Sequence, residues 1–126
     1  MCVRVFLAED AEKMRKAIRI LLSDRKDITI VGEAATFSEA IQKAAELQPD
    51  VIILDLHMTE GEKECLPAGP KVLAISFAND DEAKTSADRL GAAKLLDKMV
   101  LADELIPTIL ELADEQTTEA VSLDAS

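Results

Sequence analysis

Residues 49–58 read PDVIILDLHM, and the VIILDL part of this stretch (51–56) is apolar at every position except Asp55. A strand with no polar face lies between two covering layers, not at a surface washed by water. KVLAIS at 71–76 repeats the pattern. Working outward, CVRVFLA (2–8) and the β-branched ITIVGEA (28–34) also read as strands, and AKLLD (93–97) as a short one. The segments between them carry helical spacing instead: Met14, Ala17, Ile18, Leu21 and Leu22 in the first, Ala40, Ile41, Ala44 and Ala45 in the second. Thr36 and Glu39 form a capping box that opens the second helix, and Pro49 stops it. Asn79 and Glu82 carry a similar signature before Ala83, Ala87 and Leu90, with Gly91 as terminator. Leu105, Ile106, Ile109, Leu110 and Ala113 mark a last helix, with Pro107 expected near its first turn, where a missing N–H costs little. Such alternation predicts an α/β fold with a parallel sheet, right-handed crossovers and helices on both faces.

The length of 126 residues suits one domain. Residues 1–113 are expected to form it. Residues 114–126 hold four acids and no base, and read as an acidic tail or a truncated linker. The 14 basic and 25 acidic residues give a formal net charge of −11. Nucleic-acid affinity rests on Lys and Arg against phosphate, so this domain alone is not expected to bind nucleic acid. Three Phe with no Trp or Tyr leave no stacking platforms for bases either. No apolar run approaches membrane-spanning length, and MCVRVFLAED turns acidic too soon for a signal peptide, so no membrane association and a cytoplasmic location are expected. Cys2 and Cys65 are a lone, widely spaced pair and read as reduced thiols. With His57 the single histidine, no zinc cluster is available, and the metal chemistry left open is that of carboxylates and hard ions.

In parallel α/β sheets ligands sit beyond the carboxyl ends of the strands. The first predicted strand runs into Glu9 and Asp10, the third delivers Asp55, the fourth ends at Ser76, and the fifth runs into Lys98. Carboxylates gathered on one rim repel one another, and a cation relieves that; magnesium fits, because it takes one or two carboxylates along with water and phosphate oxygens. An Asp beside magnesium can attack phosphorus and form an aspartyl phosphate. Lys98 and Ser76 would then hold the phosphoryl oxygens by charge and hydrogen bond. Each residue also has a plainer reading: Asp10 as a helix N-cap, Ser76 as a turn residue, Lys98 as a solvated charge. Asp55 resists this most, since an acid closing an apolar run sits in low dielectric.

Glu9-Asp10, PDVIILDLHM, Ser76, NDD at 79–81 and GAAKLLDK with Lys98 together resemble a response-regulator receiver domain (CheY-like). The spans ITIVGEAATFSEAIQKAAELQPDVIILDLHM and GAAKLLDKMVLADELI are most similar to the NarL/LuxR subfamily, and the likeness extends to about residue 113. The resemblance implies a flavodoxin-like, doubly wound sheet of five parallel strands in the order 2-1-3-4-5. It further implies that Asp55 takes a phosphoryl group from a histidine kinase or a histidine phosphotransfer protein. Asp10, Asp55 and the main-chain carbonyl of His57 would ligate Mg2+, and Glu9 would act through water. Ser76 and Lys98 would bind the phosphoryl group, and Ser76 with the position held by Leu95 would form the switch. The implied output is a downstream partner or a missing DNA-binding domain, with a homodimer open, and the chain is expected to be a phosphoacceptor and not an enzyme.

Three departures from the family pattern stand out. Only residues 59–70, with Gly61, Pro67, Gly69 and Pro70, separate Met58 from the next strand, so the third helix is expected to be short or missing and one sheet face under-covered. Phe77 follows Ser76 where the family has a small residue, which would narrow access. Leu95 replaces the aromatic switch residue, and Met99 follows Lys98 where the family commonly has a proline. Two other classes stay open: a pseudo-receiver that only binds partners, and an aspartate-nucleophile phosphatase of the haloacid-dehalogenase type, loosely suggested by DLHMT.

Overall fold

The computed structural model describes residues 2–77 and 80–125, with side chains described through Asp114. The apolar runs become strands β1 (Val3–Ala8), β2 (Ile28–Ala34), β3 (Val51–Asp55), β4 (Lys71–Ser76) and β5 (Ala92–Asp97). They form one parallel sheet in the order β2-β1-β3-β4-β5. Helices α1 (Glu12–Ser23), α2 (Phe37–Leu47), α3 (Asp81–Arg89) and α4 (Leu101–Ala125) supply the layers.

Period-2 alternation along each strand sorts the core into two faces. Val5 and Leu7, Val51 and Ile53, Leu73 and Ile75 point to one side, where they meet Ile18 and Leu22 of α1 and Leu105, Ile109 and Leu112 of α4. Phe6 and Ala8, Ile52 and Leu54, and Val72 point to the other, against Phe37, Ala40 and Ala44 of α2. Ala74 on that same side meets Ala83 and Ala87 of α3. Each fully buried Val, Leu, Ile or Phe contributes about 1.5–3 kcal/mol, so the central strands, buried on both faces, anchor the fold.

The β1–β2 pairing slips between Val5 and Phe6, so that Phe6 stands opposite Gly32. A Cβ at Gly32 would come within 3.0 Å of the buried Phe6 ring and 2.7 Å of Leu47. Any larger residue there would have to push the buried ring and the end of Leu47 aside.

Thr36 Oγ1 accepts from the Glu39 amide at 3.2 Å, and α2 ends at Gln48 in the left-handed region just before Pro49. The cap of α3 differs from expectation. Asp80 accepts from the Ala83 amide at 3.0 Å, while Asn79 lies outside the described residues. Pro107 is not in a first turn: α4 begins at Leu101, so the proline sits in the helix interior and the Asp103 carbonyl has no amide partner four residues on.

The third helix of the expected fold is reduced to one 3-10 turn, Leu56–Thr59, closed by Thr59 Oγ1 donating to the Leu56 carbonyl at 2.7 Å. The face it would cover is nevertheless not bare, contrary to expectation. Ile52, Leu54, Val72 and Ala74 are all buried, because Met58 of this turn and Leu66 of the irregular stretch after it pack beside α2 while α3 covers Ala74. Among the described residues no helix is long and apolar enough to cross a membrane.

Leu95 packs only partly buried against the small cluster under α3, whereas Leu105 is fully buried between α4 and the sheet. Leu105→Ala is therefore expected to cost about 2–5 kcal/mol, and Leu95→Ala clearly less, as read by chemical denaturation of both variants.

Candidate functional site

Parallel pairing sets the strand ends side by side: Ala8 stands beside Leu54, Asp55 beside Ile75, and Ser76 beside Asp97. The residues at and just beyond these ends therefore meet on one rim. One ligand oxygen each from Glu9, Asp10 and Asp55 lie within 4.8 Å of one another. Glu9 and Asp55 are buried, and Asp10 is exposed. Asp10 makes no cap; Ala11 occupies that position of α1 without a side-chain hydrogen bond.

Lys98 crosses into this cluster from the end of β5. Its ammonium lies 2.7 Å from Glu9 Oε1 and 3.2 Å from Asp55 Oδ1, with the side chain only 6% exposed. Asp55 Oδ1 also accepts from the His57 amide at 3.1 Å, and Glu9 Oε2 accepts from the Ala11 amide at 3.0 Å. Among the described residues, Asp55 Oδ2 is buried with no hydrogen-bond partner. Glu9 Oε1 lacks a well-angled hydrogen bond too, but it has the ammonium beside it. A buried anionic oxygen left bare is costly unless a cation or an incoming group meets it. The cluster therefore has the donors a hard cation takes, carboxylate oxygens, and one oxygen to spare.

The charges respond to this crowding. Burial, and then the neighbouring Glu9 carboxylate, push Asp55 up to about 7, against the pull of Lys98. Its contact with the Glu9 carboxylate holds Asp10 below the ordinary range, outweighing partial desolvation. Burial pulls the Lys98 ammonium down, but Glu9 and Asp55 together outweigh it and hold it above the usual lysine value.

A cavity of about 610 Å³ opens over the cluster, lined by Asp10, Asp55, His57, Ser76 and Lys98, with Phe77 at its edge. Ser76 thus joins the acids and the lysine, as expected from its strand end. Phe77 is 63% exposed and its ring centre lies 5.0 Å from the Lys98 ammonium, so it stands beside the cavity as an aromatic lip and does not plug it. The His57 side chain is exposed, 3.5 Å from the exposed Glu60 carboxylate, while its amide donates to Asp55 and its carbonyl accepts from the Glu60 amide at 3.4 Å. Leu95 does not line the cavity but lies beneath α3. Sequence reasoning missed Arg15, which donates to the carbonyls of Glu9 and Asp10 at 2.8 and 3.2 Å. A base one turn into an amphipathic helix looks like any solvated charge, and no signal in the sequence distinguishes it.

Residues 5–110 match the response regulator receiver domain family. The response regulator protein VraR of Staphylococcus epidermidis is 36% identical over 96 residues, 70% of this chain and 46% of that protein. VraR of Staphylococcus aureus matches to the same extent. The chain thus spans about half the length of the curated relatives it matches. Among solved structures, the signal receiver domain of the response regulator NarL from Mycobacterium tuberculosis superposes with a TM-score of 0.78 at 27% identity, covering 90% of this chain and 97% of that one. The response regulator domain of Thermotoga maritima CheB shares the fold, with a TM-score of 0.74 at 24% identity over 90% of this chain and 98% of its own.

The raised Asp55 has a consequence for stability. An acid that ionises near 4 when unfolded and near 7 when folded binds its proton more tightly in the folded state. Its contribution is fully present below about pH 4 and is lost as pH rises through about 7. Metal-free protein is expected to melt at a lower temperature at pH 8 than at pH 6. Asp55→Asn should flatten that slope, and calorimetric melting of both proteins across this range checks it.

Proposed function

We propose a function from one premise: the chain belongs to the response regulator receiver domain family, the receivers of two-component signalling. In this reading Asp55 is the phosphoacceptor, taking a phosphoryl group from a histidine kinase or a histidine phosphotransfer protein. The observation that carries it is Asp55 Oδ2, buried and without a hydrogen-bond partner among the described residues, on a side chain that lines the cavity, while Oδ1 is held by Lys98 and the His57 amide. One oxygen is fixed and the other is left for chemistry.

Mg2+ is the cation this donor set suits, with Asp10, Asp55 and the His57 carbonyl as ligands and Glu9 acting through water. When bound, it would neutralise charge on the phosphoryl oxygens. The chain's own residues do the rest. The Asp55 carboxylate attacks phosphorus, and the donor's leaving group departs with the bonding pair. Lys98 follows the new negative charge, since its ammonium already spans Glu9 and Asp55. Ser76, at the adjacent strand end, donates its hydroxyl to a phosphoryl oxygen. Glu9 holds Lys98 from the far side and keeps it charged. The reaction is stoichiometric, with slow self-catalysed gain and loss of phosphate at most, so the chain acts as a phosphoacceptor and not as an enzyme.

The switch begins at Ser76 and passes to α3, whose first turn follows it, with Leu95 filling space under that helix in place of a moving aromatic. The receiver comprises residues 1–113, and 114–126 act as a tail or linker. The output is a partner or a DNA-binding domain on a longer chain, with a homodimer as a possible active form, and the site of action is the cytoplasm. The free, exposed Cys2 and Cys65 suit a reducing compartment. A purely binding role gains nothing from a complete acidic cluster with its lysine. A phosphatase needs an acid two residues after the nucleophile, where His57 stands exposed.

Incubation with acetyl phosphate and magnesium should add one phosphoryl mass to the intact protein, and Asp55→Asn should abolish it. A persistent adduct in that variant would remove Asp55 from the role. In magnesium titrations, Asp10→Ala is expected to weaken binding more than Glu9→Ala, because Glu9 already spends one oxygen on Lys98 and the other on the Ala11 amide. Equal losses would reject that ranking.

A further inference from the structure

The turn carrying Glu9 and Asp10 is short: β1 ends at Ala8 and α1 begins at Glu12. A helix start normally gains a side-chain cap, worth about 1 kcal/mol, but Ala11 offers none here. Two other grips hold the turn. Glu9 Oε2 takes the Ala11 amide at 3.0 Å. Arg15, one turn into α1, reaches back and donates through Nη1 to the Glu9 carbonyl at 2.8 Å and the Asp10 carbonyl at 3.2 Å.

The guanidinium is held in its turn. Arg15 Nε lies 3.7 Å from Glu33 Oε1 on β2, and Arg19 Nη1 donates to both Glu33 oxygens at 3.0 and 3.1 Å. The Arg15 side chain is only 19% exposed. Strand β2 and helix α1 are thus tied, through one arginine, to the backbone of two adjacent acids. Carboxylates that repel one another splay unless the backbone beneath them is fixed, and fixing it in advance saves the ordering cost when a cation arrives.

We propose that Arg15 is a positioning residue for the cation site: by clamping the Glu9 and Asp10 carbonyls it sets where their carboxylates stand relative to Asp55. This rests on the reading of Glu9, Asp10 and Asp55 as the magnesium site. The sign of the effect separates it from simple charge. A guanidinium near a divalent ion repels it, so deleting a mere surface charge would tighten magnesium binding. Deleting a clamp loosens it.

The experiment is calorimetric titration of the full chain with magnesium alone, for the wild type, Arg15→Met and Arg15→Lys, alongside amide exchange at Ala11 in metal-free protein. Arg15→Met keeps the aliphatic packing and is expected to bind magnesium about 10–100-fold more weakly, as loss of a group that orients a ligand does. Arg15→Lys conserves the charge, but it has no second nitrogen to stay beside Glu33 while its ammonium reaches the two carbonyls, so it should fall between the two. It also serves if Arg15→Met fails to fold. Ala11 exchange should quicken in either variant. Unchanged or tighter magnesium binding in the variants would overturn the proposal. Wild-type protein that binds no magnesium would remove the cation reading and the cation part of this proposal with it, while unchanged Ala11 exchange would overturn the clamp itself.

Discussion

Lys98 stands between two buried carboxylates, and the upper edge of the sheet depends on that contact. Glu9 and Asp55 sit at the ends of neighbouring strands that are buried on both faces, where an unpaired negative charge would be expelled or protonated. The ammonium, 2.7 Å from one and 3.2 Å from the other, lets both acids remain inside. The neutralisation is incomplete. Asp55 is still pushed up to about 7, and one of its oxygens has no hydrogen-bond partner among the described residues. Replacing this arrangement with apolar residues would be expected to stabilise the domain, as it often does for buried ion pairs. The arrangement makes sense as a site held short of electrostatic satisfaction, with carboxylate oxygens that could hold a cation.

Rigidity around the cluster comes from the fold's most ordinary feature. β1, β3 and β4 are central strands with side chains buried on both faces, so their ends cannot drift relative to one another. The more exposed parts lie further out: β5 at the sheet edge, the Phe77 lip and the α3 cap at Asp80. Stiff strands deliver the acids, while Phe77, exposed just after Ser76, has little burial with which to resist a change. The missing third helix does not undermine this division. Its place is taken by Met58 of the 3-10 turn, an adaptable side chain, and Leu66 of the irregular stretch that follows, which pack beside Ile52 and Leu54.

Much of the arrangement was legible in the residues. Unbroken apolar runs around Asp55 and before Ser76 require two covered faces, and a parallel sheet with those runs at its centre is the simplest way to provide them. Once strand order is set, Glu9, Asp10, Asp55, Ser76 and Lys98 converge without further information. Errors fell where a local signal had competitors of equal strength. Asn79 and Asp80 are both good caps, and only the Ala83 amide direction selects Asp80. Pro107 suits a first turn, where a missing N–H costs little, and no local signal places the helix start as early as Leu101. Packing of Leu101 and Leu105 against the sheet extends the helix backward past it.

The parallel α/β architecture and the set of side chains on the carboxyl rim follow from the order of residues, because hydrophobic period and strand-end position are properties of neighbouring residues. Tertiary structure alone decided how those side chains share charge. It gave Lys98 two partners, left Asp55 Oδ2 with none among the described residues, and turned Arg15 back onto two carbonyls. It also decided that the face lacking a helix would be sealed by Met58 and Leu66. These outcomes depend on distances of a few ångströms between residues far apart in the chain. Spacing along the sequence carries no record of such distances, while Coulomb energy and packing depend on nothing else.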